Sequence, residues 1–287
     1  MSPGPKYVAA NGARLVDVVS IQSQVAYGGV GNSIAVPALL AMGLQVAPVP
    51  TAVLGNTPHY PTMHGGPLPQ DWFEGILDDL EDREAATRAS CVLVGYLGSP
   101  AQGVALARWL RRMREANPGL LVLVDPVIGD HDTGSYTDPD LLPIWRDHLL
   151  SCADGLTPNH YELEQLCGRS LHSLEACTEA ATSLLGGDTR WIVVTSAAPR
   201  TCPPGRVQVL VVTPQGARLV EHDEVAHAVK GGGDLFSALL AGRLVRGMDL
   251  VEAVTLCGAD VAATLQQVRE QGWLELALPR AIAHRLG

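Results

Sequence analysis

The sequence predicts an α/β protein: a three-layer α/β/α sandwich around a mostly parallel central sheet. Three observations carry that expectation. Short runs of Val, Ile and Leu alternate with longer amphipathic stretches, the order expected when parallel strands are covered by helices on both faces. Polar residues follow the apolar runs directly (Ser23, Asp125, Thr157, Asn159, Thr195), and ligands of open parallel sheets bind at the carboxyl ends of strands. No repeat or internal linker interrupts the 287 residues, so residues 15–287 are expected to form one domain behind a disordered Pro/Gly/Ala-rich leader, residues 1–14.

Taken in order, Leu15 to Ile21 reads as a buried first strand, and Ile34 to Met42 as a helix stopped at Gly43. Val46 to Val53 returns to strand, and Trp72 to Ala86 is an acidic amphipathic helix. Cys91 to Val94 is strand; Ala101 to Ala116 is a helix whose arginines mark its wet face. Leu120 to Val124 is an apolar strand that ends at Asp125-Pro126, and Asp154 to Thr157 is a short one. Helices follow near Tyr161 to Cys167 and Leu174 to Leu185. Trp191 to Thr195 and Val207 to Thr213 are strong β formers, and helices from Leu235 to Arg246 and Leu250 to Arg269 close the pattern.

The net charge of −10 and the lack of a basic tract argue against nucleic acid as a partner. No run approaches membrane-span length and no export signal is evident. The six cysteines lack paired metal spacing and read as small core or incidental thiols of a reducing compartment, so a cytoplasmic protein is expected.

The sharpest chemical signal is Gly231-Gly232-Gly233-Asp234, which runs into an apolar helical pattern. Glycines let successive amides face an anion, and a helix N-terminus adds partial positive charge. A carboxylate there would repel a phosphate that was only to be bound. It suits a site where Asp234 takes a proton from a hydroxyl while the amides hold the phosphate that this hydroxyl attacks. The plainer reading is an acid capping a helix after a flexible turn. The two lysines, Lys6 and Lys230, lie in no Gly-Lys-Ser/Thr triplet, which excludes a Walker loop, and the protein-kinase motifs are missing. Gly29-Val30-Gly31 lacks the rest of a dinucleotide fingerprint.

Asp125-Pro-Val-Ile-Gly-Asp130 places an acid at a strand end, facing magnesium or nucleotide phosphates, or simply in a turn. Thr157-Pro-Asn159 with Glu162 sets two polar residues on one face of a helix's first turn; Glu162 suits a water-coordinated magnesium and equally a cap. Ser20 to Gly28 and Gly55 to Tyr60 put small polar residues after the first two strands. His59 there is a ligand contact or a surface residue, and Tyr96 a ring-stacking or core residue.

Assembled, these segments resemble the bacterial pyridoxal/pyridoxine/pyridoxamine kinases of the ribokinase-like superfamily. The matching text is Ser20-Ile-Gln-Ser-Gln-Val-Ala-Tyr-Gly28, Val30 to Pro37, Asn56 to Tyr60, Asp125 to Asp130, Thr157 to Asn159 with Glu162, Val193 to Ser196 and Gly233-Asp-Leu-Phe236. The resemblance extends from about Val16 to Leu278. It implies transfer of a phosphoryl group from MgATP to the 5′-hydroxymethyl group of B6 vitamers. Asp234 then resembles the general base and Gly231 to Gly233 the anion hole. Ser23 and His59 match substrate contacts, with Val30 and Tyr96 lining the ring. Asp125, Thr157, Thr195 and Gly232 match nucleotide-side positions, as does the stretch His222, Asp223, Glu224 and Val225, whose side chains depart from the family's. Glu162 and Tyr136 match metal positions, the tyrosine through its carbonyl. A homodimer is implied, and a monovalent cation such as K+ is left open beside Mg2+.

One departure stands out. The family reads Gly-Thr-Gly-Asp, and this chain has Gly232 for the threonine, which removes a hydroxyl but keeps the amide. Two other readings share these residues: a hydroxymethylpyrimidine kinase with a different ring pocket, and a non-catalytic vitamer-binding protein.

Overall fold

The computed structural model describes residues 14–226, 229–278 and 280–286. The expected leader therefore lies outside the described residues except for Arg14, whose guanidinium donates to Gln45 Oε1 at 3.1 Å. Among the described residues eleven strands form: β1 (Val18–Tyr27), β2 (Val46–Asn56), β3 (Gly65–Pro67), β4 (Cys91–Val94), β5 (Leu121–Val124), β6 (Gly129–Asp130), β7 (Gly134–Ser135), β8 (Gly155–Leu156), β9 (Trp191–Val194), β10 (Arg206–Thr213) and β11 (Gly216–Asp223). Nine of them make one sheet in the order β11-β10-β9-β8-β5-β4-β1-β2-β3, and β6 and β7 make a separate hairpin. The six strands from β9 to β2 in that order are mutually parallel; at one edge β10 is antiparallel to β9 and β11 to β10, and at the other β3 is antiparallel to β2. The expected three-layer sandwich is the observed fold.

Period-two alternation explains the layers. Val92 and Val94 of β4 join one core and Cys91 and Leu93 the other, and β5, β9 and β10 divide likewise. The first core is closed by α2 (Gln70–Asp82), α3 (Pro100–Ala116), α4 (Leu141–Ile144), α5 (His160–Cys167) and α6 (Leu174–Ser183), through side chains such as Phe73, Trp109 and Leu163. The second is closed by α1 (Asn32–Ala41), α7 (Gly232–Val245), α8 (Leu250–Glu270) and α9 (Arg280–Leu286), through Leu39, Leu239 and Val254. Truncating a sealed residue such as Leu93 to alanine costs about 2–5 kcal/mol.

Two local departures from the sequence reading position the site. β1 continues to Tyr27, so Ser23 lies inside the strand and not after it. Opposite it the register with β2 slips, Gln22 pairing with Pro50 but Gln24 with Val53. The extra β2 residue is a bulge, which re-aims side chains. Second, α7 begins at Gly232, so only Gly231 remains in a turn. Pro48 and Pro50, on one parity of β2, pair with Ser20 and Gln22 of β1. The edge strands β3 and β11 and the hairpin were not anticipated; they are short or alternate with exposed polar residues, which weakens the apolar signal.

Candidate active site

The chemistry gathers at the carboxyl ends of β1, β5, β8 and β9, against the N-terminus of α7. Gly231 has φ 102 and serves as the α7 N-cap; a β-carbon there would collide with the Gly29 carbonyl. Only glycine satisfies both demands. The first α7 bond runs from Leu235 N to Gly231 O at 2.9 Å, so the amides of Gly232, Gly233 and Asp234 precede the helical ladder, where amides suit an anion. Gly232 differs from Gly231. Its backbone is ordinary, and a β-carbon would meet only Val261 at 4.0 Å. The chain could carry a threonine at this position; the glycine is not a steric demand.

Asp234 stands in the first turn of α7. Burial pushes its carboxyl up to about 6, against the pull of the Gly31 amide. Asp125, 6% exposed just past β5, is pushed up to about 8 by burial and then by the charge of Asp234, while Ser237 opposes the shift. Ser237 donates to Asp125 Oδ2 at 2.9 Å and stands 2.9 Å from Thr157 Oγ1. With its own proton on Asp125, Ser237 accepts the proton of Thr157, which fixes both hydroxyls. A β-carbon on Gly233 would lie 3.9 Å from Asp125, so this glycine borders the same space.

Glu162 closes the acidic cluster. Its carboxylate accepts from the amides of Asn159 at 2.8 Å and Ile128 at 3.0 Å, and Asn159 Oδ1 accepts from Glu162 N at 2.9 Å. Glu162 completes a capping box and pins the loop after Asp125, so the expected metal acid is also a cap. Burial and the charge of Asp125 hold its pKa well above the usual carboxylate range. Tyr136 stays 45% exposed, yet partial desolvation of its phenol, then the charges of Glu162, Asp234, Asp125 and Asp130, raise its pKa. Its backbone amide is engaged by Ile128 O at 3.1 Å.

Three carboxyls resisting ionisation in one place, all hard oxygen donors, fit a hard divalent cation, which would supply the missing counter-charge. Asp125 and Glu162 would hold it from the protein side, Glu162 through water, since its oxygens already serve two amides.

Where the sequence places the substrate, Ser23 is buried against Gly31, the residue whose amide reaches Asp234. Thr57, just past β2, lies 3.1 Å from His59 Nδ1 and donates to Glu275 Oε1 at 2.6 Å; His59 Nε2 is 3.5 Å from the same oxygen. The Glu275 carboxylate lies over Gly28 and close to Tyr60, whose phenol pKa is raised by desolvation and then by a hydrogen bond to Glu275. Tyr96 follows β4 and is half-buried, its phenol pKa raised by burial and then by Asp138. Val30 lies half-buried between Gly29 and Gly31.

Where the sequence places the nucleotide, Thr195 follows β9, its amide on Pro158 O at 3.0 Å, beside Thr157. A cleft of about 280 Å³ lies alongside, lined by Ser196, Pro199, Gln208 and Glu224. His222 does not turn into that cleft but packs on α8, where a β-carbon at Gly258 would meet its ring at 2.6 Å. Asp223 is paired with Arg206, and Val225 is half-buried.

The sequence reading missed Ser237, Glu275 and the ion pair between Lys230 and Asp130. Ser237 carried a signal, one helical turn after Asp234 on the same face of α7. The other two join segments far apart in the chain and had none.

A buried carboxyl in the first turn of a helix that opens on a glycine cap suits a small-molecule kinase, on a ribokinase-like fold. The chain belongs to the Phosphomethylpyrimidine kinase family, which it matches over residues 28–272. It is 53% identical to a pyridoxine/pyridoxal/pyridoxamine kinase of Bordetella bronchiseptica over 263 residues, 92% of this chain and 93% of that one. Pyridoxal kinase from Leishmania donovani, solved with ADP and pyridoxine, superposes with a TM-score of 0.86 at 25% identity, covering 94% of this chain and 95% of that chain. A Bacteroides thetaiotaomicron protein described as a putative phosphomethylpyrimidine kinase, solved with pyridoxal, gives a TM-score of 0.83 at 26% identity, over 95% and 96%.

Proposed function

We propose that this protein transfers the γ-phosphoryl group of ATP to the 5′-hydroxymethyl group of pyridoxal, pyridoxine and pyridoxamine. The observation that carries the reading is Asp234 in the first turn of α7 behind the Gly231 turn, beside Asp125, in a chain 53% identical to a kinase of these vitamers. Asp234, poised near 6, accepts the hydroxyl proton as the oxygen attacks the γ-phosphorus and the bond to ADP breaks. The amides of Gly231, Gly232 and Gly233 stabilise the charge on the moving phosphoryl oxygens. Ser23 and His59 orient the vitamer. Asp125, Thr157, Thr195 and the stretch His222 to Val225 border the nucleotide, chiefly through Glu224 and the backbone.

Mg2+ held through Asp125 and Glu162, with Tyr136 at its edge, would neutralise phosphate charge. K+ dependence, a homodimer, a cytoplasmic location and a single unit over residues 15–287 complete the proposal; among the described residues no helix is long and apolar enough to cross a membrane. Product formation from each vitamer and from hydroxymethylpyrimidine, with MgATP, with and without K+, tests the activity. Phosphorylated pyridine vitamers are expected, at rates exceeding that with hydroxymethylpyrimidine. Vitamer binding without turnover would instead make the protein a carrier. Sedimentation tests the dimer.

A further inference from the structure

Outside this site, His131 in the β6–β7 turn meets His160 and Glu164 of α5. His131 Nε2 lies 2.7 Å from His160 Nδ1 and 3.6 Å from Glu164 Oε2. One donor atom from each residue falls within 4.8 Å of the others. His160 is 1% and Glu164 8% exposed, so two of the three are fixed in the interior.

The backbone of Leu171 orients both. Its carbonyl stands 3.0 Å from His160 Nε2 and can only accept, which places the ring proton on Nε2 and the lone pair on Nδ1, toward His131. Its amide donates to Glu164 Oε1 at 2.6 Å, the oxygen also nearest Arg200 at 3.9 Å, which leaves Oε2 turned to His131. Outer partners that fix tautomer and carboxylate orientation are the mark of metal ligands.

We propose that His131, His160 and Glu164 bind a divalent transition-metal ion of the zinc class, with the fourth position open to solvent at His131. Two imidazole nitrogens and one carboxylate oxygen suit Zn2+ or Co2+ and disfavour Mg2+, which seeks oxygen ligands. Two nitrogens on one tetrahedral ion stand about 3.3 Å apart, given metal–nitrogen bonds of about 2.0–2.1 Å. His131, on an exposed turn, therefore moves outward by roughly half an ångström to admit the ion. Because Asn159 Nδ2 holds Gly129 O at 2.8 Å and Asp130 pairs with Lys230, the ion would brace the hairpin that borders the glycine turn.

The test is a titration of the chelator-treated protein with Co2+ in excess Mg2+, read by visible absorption, beside a thermal melt with Zn2+. One equivalent of Co2+ with four-coordinate absorption, and a Zn2+-dependent rise in melting temperature, are expected. His131→Ala, on an exposed turn, should weaken binding by about 100-fold or more, since even an outer partner contributes 10–100-fold. Glu164→Gln, which keeps an acceptor for Leu171, should weaken it at least about tenfold. No stoichiometric absorption and no Zn2+ shift would overturn the proposal, as would equal binding by His131→Ala. Neither readout depends on turnover.

Discussion

Lys230 Nζ reaches Asp130 Oδ2 at 2.6 Å across one hundred residues of chain, and so ties the residue before the glycine turn to the β6–β7 hairpin. Burial pushes the Asp130 carboxyl up, but Lys230 and Thr133 outweigh it and hold its pKa below the usual value. The pair is partly exposed, so it contributes under about 1 kcal/mol to stability. Its position suits a second use, in which the ammonium turns to the arriving phosphates.

Lys230→Met should therefore leave the melting temperature nearly unchanged while lowering kcat/KM for ATP about tenfold, the loss of one charge-assisted contact. Asp130→Asn, which frees the lysine, should lower it less. Steady-state kinetics with ATP varied make the comparison; equal losses in both variants would reduce the lysine to a clasp.

Asp234→Asn should lower kcat by about 10²–10⁴-fold with vitamer affinity little changed. In the wild-type chain kcat/KM should rise with pH through about 6 as the base ionises. A pH–rate profile of both proteins checks this.

Stability should move the opposite way. Asp125 and Asp234 keep their protons to about 8 and about 6 in the folded chain, whereas an unfolded carboxylate titrates near 4. Between about pH 4 and 8 the native state thus binds more protons, and stability falls as pH rises. Ligand-free protein should melt lower at pH 8 than at pH 5, and Mg2+ should restore more at pH 8. Scanning fluorimetry across that range would refute the sign if the melting temperature rose instead.

Gly232→Thr should be tolerated and stabilise the chain by about 0.4–1 kcal/mol, because it restricts the unfolded chain at an unstrained position. It should also lower the KM for ATP by restoring a hydroxyl. Gly231→Ala should lose more stability than that, as it meets both a left-handed backbone and the Gly29 carbonyl. Denaturant titration separates the two glycines.

Glu275→Gln should raise the KM for vitamers about tenfold with kcat nearly constant, since the carboxylate fixes Thr57 and faces His59 from outside the reacting centre. A matching loss in kcat would place Glu275 closer to the chemistry.

Much of this was legible in the chain. Apolar runs placed the six parallel strands, since a sheet covered on both faces writes a continuous signal. Asp125, Thr157, Glu162 and Asp234 were legible because each follows a strand or opens a helix. The end of β1 was not: Ser20, Gln22 and Ser23 are buried polar residues inside a strand, and pattern reading takes polarity for a strand end. Glu162 was divided between cap and metal acid, and the geometry shows the cap directly. Glu275 and the Lys230–Asp130 pair depend on contacts between remote segments that no local pattern encodes.

Pro48 and Pro50 carry a consequence for growth in numbers. Neither has an N–H, so the first half of β2 cannot donate at those positions to a strand laid along its outer flank. A second chain arriving there finds carbonyls and no complementary zipper, and open-ended polymerisation through this border is blocked where β3 does not already cover it. Pairing of two copies on this side would rest on side chains more than on a backbone ladder.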